Sequence, residues 1–329
     1  MSELLRQPER PSAAWWRVGL RLLQALVTAG LMLWLLRQVE WASVAALLRQ
    51  MRWEMIALAV VCLLVNHAIN VLRWRYLLGR PAPGLGALTR WYAIGLFSNN
   101  FLPTGIGGDG VRVALSSRAV ALGRAMLAVL LDRLVGLAAL SVLVVLGLLA
   151  GLPDGLRPGA DLRVGLGRLN LAALALCGLA LCGLAVWALP GLRPRLAARL
   201  RGWEFPRWSA WQWLVRLGAA YAISAFAQLW IVAAIWAMLA ALRVAAPWPA
   251  AVWLVALSSL SLLLPIAVNG MGVVEGVYVL VLASYGVAAS TSFSLALAVR
   301  LLGLLISLSG GALLLGRPIT AVADLESAA

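Results

Sequence analysis

The sequence predicts an all-α polytopic membrane protein, with about six full spans and two broken or re-entrant helix pairs arranged as an inverted repeat. Three observations predict it. The chain is 63% hydrophobic and only 12% charged. Its apolar residues fall in continuous runs long enough to cross a bilayer. Two of those runs are interrupted by proline–glycine breaks at corresponding places.

The composition excludes a soluble domain, which carries about 45–50% apolar and about 25% charged residues. A chain this apolar cannot cover itself with polar surface, so lipid is its solvent. An outer-membrane barrel would alternate apolar and polar residues along each strand, and continuous runs do not. The net charge is +15. A soluble protein so basic would suggest nucleic acid. In a membrane protein, arginine collects on cytoplasmic loops, so no nucleic-acid partner is expected. Every cationic side chain is arginine, and there is no lysine.

Apolar runs fall at 18–36, 54–78, 125–150, 167–189, 214–242 and 293–315. About 20 such residues cross the hydrocarbon core. Residues 91–121 break at Pro103 through Gly108, and residues 250–285 break at Pro265 through Gly272. Proline removes a backbone donor and glycine frees the chain. Irregular backbone at that depth survives only inside protein or beside a wet cavity.

Orientation follows from the arginines. With the N-terminus in the cytoplasm, about 18 arginines lie inside and about 7 outside, which satisfies the positive-inside rule. Arg73, Arg75, Arg80, Arg90, Arg112, Arg118 and Arg124 all fall in the inside set. The expected location is a bacterial-type cytoplasmic membrane. The loops 41–53 and 193–216 mix tryptophan with arginine and read as membrane-surface segments.

The two breaks begin alike. Leu102-Pro103 leads through glycines to Asp109-Gly110-Val111, and Leu264-Pro265 leads through glycines to Glu275-Gly276-Val277. Each is followed by a span carrying an arginine, in Arg133-Leu134-Val135-Gly136 and in Arg300-Leu301-Leu302-Gly303. The acid and the arginine therefore recur in register. Intramembrane charge is rare, since each costs about 2.5–3.5 kcal/mol at a helix centre. The unit is span, span, broken pair, span. Its odd number of crossings inverts the second copy, a common plan of secondary transporters. The domain reading is a single membrane domain over 1–329, with 1–150 as the first repeat and 151–329 as the second.

Arg133 and Arg300 lie about 8 residues, or roughly 12 Å, into their spans. That is deep for snorkelling. Their natural partners are Asp109, Asp132, Glu275 or a lipid phosphate, because guanidinium pairs with either. The glycines from Gly105 to Gly110 offer backbone N–H groups of the kind that bind phosphate, and the turn Asn269-Gly270-Met271-Gly272 does likewise. A helix break without ligand, and a pair of structural ion pairs, are the alternatives. Asn66 and Asn70, and Ser224 and Gln228, are spaced for interhelical hydrogen bonds. The single histidine, His67, has no nucleophile or orienting partner in the pattern and is not read as catalytic. Cys62, Cys177 and Cys182 sit in apolar runs with no CxxC pattern, so neither metal nor cofactor is expected.

The run Ser98-Asn99-Asn100-Phe101-Leu102-Pro103, continuing through Gly107-Gly108-Asp109-Gly110-Val111-Arg112, resembles the flippase-like transmembrane domain of the lysylphosphatidylglycerol synthases. So do Asp132-Arg133-Leu134-Val135-Gly136 and the stretch from Leu264-Pro265 to Glu275-Gly276. The resemblance implies lipid movement or lipid handling in envelope biosynthesis. Full-length synthases of that family add a soluble aminoacyl-transfer domain. No such segment follows the last span of this sequence, so aminoacyl transfer is not expected. The motifs make Asn99, Asn100, Pro103, Gly107, Gly108, Asp109, Arg112, Asp132 and Arg133 the candidate lipid-binding residues of the first half. In the second half they are Pro265, Asn269, Gly270, Gly272, Glu275 and Arg300.

The leading expectation is a lipid translocase for a phospholipid, hopanoid or polyprenyl-linked lipid, with the headgroup in a polar cavity and the tails left in the bilayer. In that scheme Asp109 or Glu275 relays protons or releases the arginines. The alternatives are a membrane-embedded lipid-modifying transferase and a scaffold for lipid-synthesis enzymes. The transferase would need a nucleotide or metal loop, and no DxD pair is present.

Overall fold

The computed structural model describes residues 51–101, 107–150, 209–262 and 270–315. These form eight helices, and no strand occurs among the described residues. They are α1 (Trp53–Leu78), α2 (Leu85–Phe101), α3 (Gly107–Ser116), α4 (Leu122–Ala150), α5 (Ala210–Ala241), α6 (Trp248–Ser261), α7 (Val273–Ala283) and α8 (Ala289–Leu315). Four of them, α1, α4, α5 and α8, are long and apolar enough to cross a membrane. The expected spans at 18–36 and 167–189 lie outside the described residues, as do Pro103, Pro265 and Asn269.

Both expected breaks separate two helices, α2 from α3 and α6 from α7. The spans start earlier than hydropathy suggests. α8 begins at Ala289 rather than 293. Ser292 and Ser294 lie inside it because their hydroxyls donate to the carbonyls of Ala288 and Ser290, at 3.0 and 2.7 Å. A serine that bonds one turn back hides its polarity from lipid. At the start of α5, Ser209 and Gln212 close a reciprocal capping box, with bonds of 3.2 and 3.0 Å. That satisfies two orphan amides of the first turn.

Helix ends gather on two faces. On the first, Arg124 reaches the carbonyls of Arg80 and Pro81, Arg216 reaches that of Tyr76, and Arg90 reaches that of Leu313. This face holds the starts of α2, α4 and α5 and the ends of α1 and α8. On the second, the Arg52 amide donates to the Ala241 carbonyl at 3.0 Å. That joins the start of α1 to the end of α5. Two apolar cores stack between the faces. One joins Val71, Trp74 and Leu78 of α1 to Leu127, Leu131 and Val135 of α4. The other joins Leu140 and Val144 of α4 to α5, α6, α7 and the Leu295 region of α8.

α1 and α5 pack along one another at the centre. Asn66 donates to the Ala227 carbonyl at 2.7 Å, and Asn70 donates to Asn66 at 3.0 Å. The asparagine pair thus bridges the central helices, as expected. Close helix approach elsewhere depends on glycine. α3 lies against α2 where Gly108 meets Gly95 and Asn99, leaving no room for a side chain. α8 crosses α2 where Gly310 meets the backbone of Ala93.

Candidate functional site

α4 supplies two adjacent charges, Asp132 and Arg133, and consecutive helix positions point in different directions. Asp132 faces inward and is 4% exposed. Arg73 of α1 donates its Nε to Asp132 at 2.7 Å, and Arg112 of α3 donates both terminal nitrogens to the other oxygen, at 3.1 and 3.0 Å. Arg73 also donates to the Ser224 hydroxyl of α5 at 2.8 Å. One carboxylate therefore ties together α1, α3 and α4, and through Arg73 it reaches α5.

Arg112 is held further by aromatic faces. Its guanidinium carbon lies 4.3 Å from the Trp74 ring centre and 5.2 Å from that of Tyr92. Both lie within the roughly 6 Å range of cation–π attraction. Arg112 also approaches Asp109 at 3.5 Å, one turn back in α3. Asp109 in turn accepts from the Nε of Arg133 at 2.5 Å.

The second half repeats a simpler version. Arg300 Nε donates to Glu275 at 2.5 Å, and Glu275 accepts the Gly272 amide through its other oxygen at 2.7 Å. Asp109 and Glu275 each hold the third position of their helix, where a carboxylate complements the positive end of the helix dipole. Arg133 and Arg300 each lie eleven positions past the start of their helix. That is about 16 Å at 1.5 Å per residue, deeper than the spans read from sequence imply, and it is about half of a 30 Å hydrocarbon core.

The two arginines differ in access. The Arg133 side chain is 54% exposed, whereas that of Arg300 is 18% exposed. Among the described residues, the terminal nitrogens of Arg133 bond to nothing; only its Nε is used. The first cluster holds three guanidinium groups, from Arg73, Arg112 and Arg133, against two carboxylates, from Asp109 and Asp132. One positive charge is left over, and the exposed one belongs to Arg133.

The sequence reading needs three corrections here. Arg73 and Arg112 belong to the buried cluster, not to a cytoplasmic loop; they are 8% and 5% exposed. A count of arginines near span ends cannot see a helix partner on another span. Asp132 serves Arg73 and Arg112, not Arg133 or Arg300, because its side chain points away from Arg133's. The glycine amides at the breaks are partly committed. Gly108 donates to Asn99 at 2.9 Å and Gly272 to Glu275, so neither amide is open to phosphate. Gly270 and Gly272 adopt φ of 64° and 82°, which favours glycine whether or not a ligand binds. Gly107 opens α3, and Asn100 lies in the last turn of α2.

Buried acid–arginine sets on broken helices between long spans define a multi-pass helical membrane protein with charge held inside the bilayer. The chain belongs to the lysylphosphatidylglycerol synthase TM region family, whose match covers residues 21–310. That membership ties it to membrane lipid function. No curated protein matches the chain.

Proposed function

We propose that the protein is a translocase for an anionic lipid of the cytoplasmic membrane, with its N-terminus in the cytoplasm, and that it carries out no chemical conversion. The observation that carries this reading is Arg133. It projects a half-open guanidinium, with both terminal nitrogens free among the described residues, from the middle of a span. Its cluster has a surplus positive charge. A phosphate accepts two parallel bonds from such a group, and a charge held at mid-membrane is costly until an anion meets it. Arg73, Asp132 and Arg112 act as the frame that fixes Asp109, and Asp109 orients Arg133 through Nε so that its far edge faces the ligand.

An inverted repeat within one domain, 1–150 and 151–329, fits this role. Exchanging α1 with α5, α2 with α6, α3 with α7 and α4 with α8 carries packed neighbours onto packed neighbours. The α2–α8 contact maps to α6–α4, α3–α4 to α7–α8, and α1–α2 to α5–α6. α4 starts on the first face and α8 on the second, as inversion requires. The described exposed or part-exposed arginines crowd the first face, which supports a cytoplasmic first face.

The test is lipid movement in vesicles containing only this protein. Fluorescent phosphatidylglycerol and a polyprenyl phosphate should cross faster than in empty vesicles, while a neutral diacylglycerol should not. Equal rates with and without protein for every anionic lipid tried would defeat the proposal.

A further inference from the structure

The exchange that relates the two halves fails at one place. α4 packs against α5, but the corresponding pair, α8 and α1, forms no comparable interface. The gap is a cavity of about 340 Å³ between α1, α2 and α8. Its walls include Leu64 and Leu72 of α1, Leu85 and Leu96 of α2, and Ile306 and Ser309 of α8. Leu64, Leu72 and Leu85 are 52%, 50% and 42% exposed, so the groove opens sideways, toward lipid.

We propose that this groove holds one hydrocarbon chain of a membrane lipid from the leaflet of the first face. Its length fits. Leu64 to Leu72 spans about 12 Å of helix, and Leu85 to Leu96 about 16 Å. One leaflet of a 30 Å core is about 15 Å deep. Its position fits as well, because Leu85 opens α2 at the first face and Leu96 lies eleven residues deeper. The volume lies at the low end of small-ligand sites, which run from roughly 300 to 1,000 Å³. That suits one chain rather than two.

The groove also adjoins the charge cluster. Tyr92 lines it, and the same ring stands 5.2 Å from the Arg112 guanidinium carbon. His67 lines it too, with its ring centre 5.8 Å from that of Tyr92. A chain seated here would have its headgroup at the first face and would run past the Tyr92 ring that faces Arg112. The sequence-based expectation left both tails in the bilayer; the groove gives one of them a seat. The chain site stands independently of the proposed translocation.

The experiment uses the full chain in vesicles doped with phosphatidylglycerol carrying a diazirine midway along one acyl chain. After irradiation, adducts are mapped by mass spectrometry. Adducts at the groove residues should exceed those at Leu214 and Leu229, which face outward from α5 at 64% and 47% exposure. Ala68→Trp and Thr89→Trp each place a large ring into the groove from an exposed position. Either should cut groove adducts at least fivefold, leaving those on α5 unchanged. Adducts spread evenly over all outward positions and indifferent to both tryptophans would mean ordinary surrounding lipid, and the proposal would fall. Groove adducts without lipid movement would keep the chain site and remove translocation. Lipid movement with evenly spread adducts would do the reverse.

Discussion

Arg73 donates its Nε to Asp132 across 59 positions of sequence, at 2.7 Å, with both side chains buried. Asp132 accepts from Arg112 as well. Removing this one carboxylate takes the carboxylate partner from Arg73 and leaves Arg112 only Asp109, at 3.5 Å, whereas removing Arg73 leaves Asp132 with Arg112. Breaking a buried pair from one side costs about 3–5 kcal/mol. Asp132→Asn is therefore expected to lower thermal stability in detergent more than Arg73→Gln, by more than about 1 kcal/mol. Equal losses, read by thermal unfolding of the purified protein, would count against a shared hub.

Two glycines of α8 make a matched pair. A side chain at Gly310 would collide with the Ala93 backbone of α2, while Gly303 faces open space. In a helix, alanine is better than glycine by roughly 0.5–1 kcal/mol when nothing obstructs it. Gly303→Ala should be neutral or slightly stabilising. Gly310→Ala should cost about 1–3 kcal/mol, as overpacking does, because a backbone cannot step aside as a side-chain tip can. A Gly310→Ala protein that melts no earlier than Gly303→Ala would show that the helices are not so close.

The long spans α1, α4, α5 and α8 were legible because a run of apolar residues reads the same in sequence and in structure. The pairs Asp109–Arg133 and Glu275–Arg300 were legible for a different reason: intramembrane charge is rare, and its recurrence in register marks it. Arg73 was not legible. It lies five positions from the end of α1, where a membrane-surface arginine is the ordinary reading. Only the packing of α1 on α4 and α5 gives it Asp132 and Ser224. The difference between Arg133 and Arg300 was equally hidden, since equal spacing in the chain carries no information about which neighbour covers each side chain. Ser224 and Gln228 looked alike by spacing, yet Ser224 holds Arg73 and Gln228 makes no comparable bond among the described residues.

Orientation is open to a direct check. The first face carries Arg75, Arg80, Arg90, Arg118, Arg124 and Arg216, and the second carries Arg52 and Arg243. On the proposed orientation the first face is cytoplasmic, which such an imbalance favours. In a background lacking the three native cysteines, Ala245→Cys should react with an impermeant maleimide added outside intact cells. Ala119→Cys should react only after the membrane is opened. Both positions are exposed, so the contrast reports sidedness rather than burial. The opposite pattern would invert the protein.

The two intramembrane arginines are expected to separate a ligand site from a staple. Arg133→Gln leaves Asp109 with Arg112 at 3.5 Å, and the lost pair involved a half-open side chain. Its stability cost should resemble that of an exposed pair, below about 1 kcal/mol. Arg300→Gln leaves Glu275, 1% exposed, with the Gly272 amide and no second cation among the described residues. That should cost about 3–5 kcal/mol, and Glu275→Gln in the same chain should recover most of it. Lipid movement should follow a different order. Arg133→Gln should abolish transport in a protein that is still folded and inserted, and adding Asp109→Asn should not restore it, because on the proposed reading the lost contact is to lipid phosphate. The Arg300→Gln, Glu275→Gln double variant should recover transport along with stability if the second pair is structural. The measurements are vesicle transport rates and melting temperatures for all four variants. Normal transport by Arg133→Gln with Asp109→Asn would remove the phosphate-binding role and leave Arg133 as one more strut of the bundle.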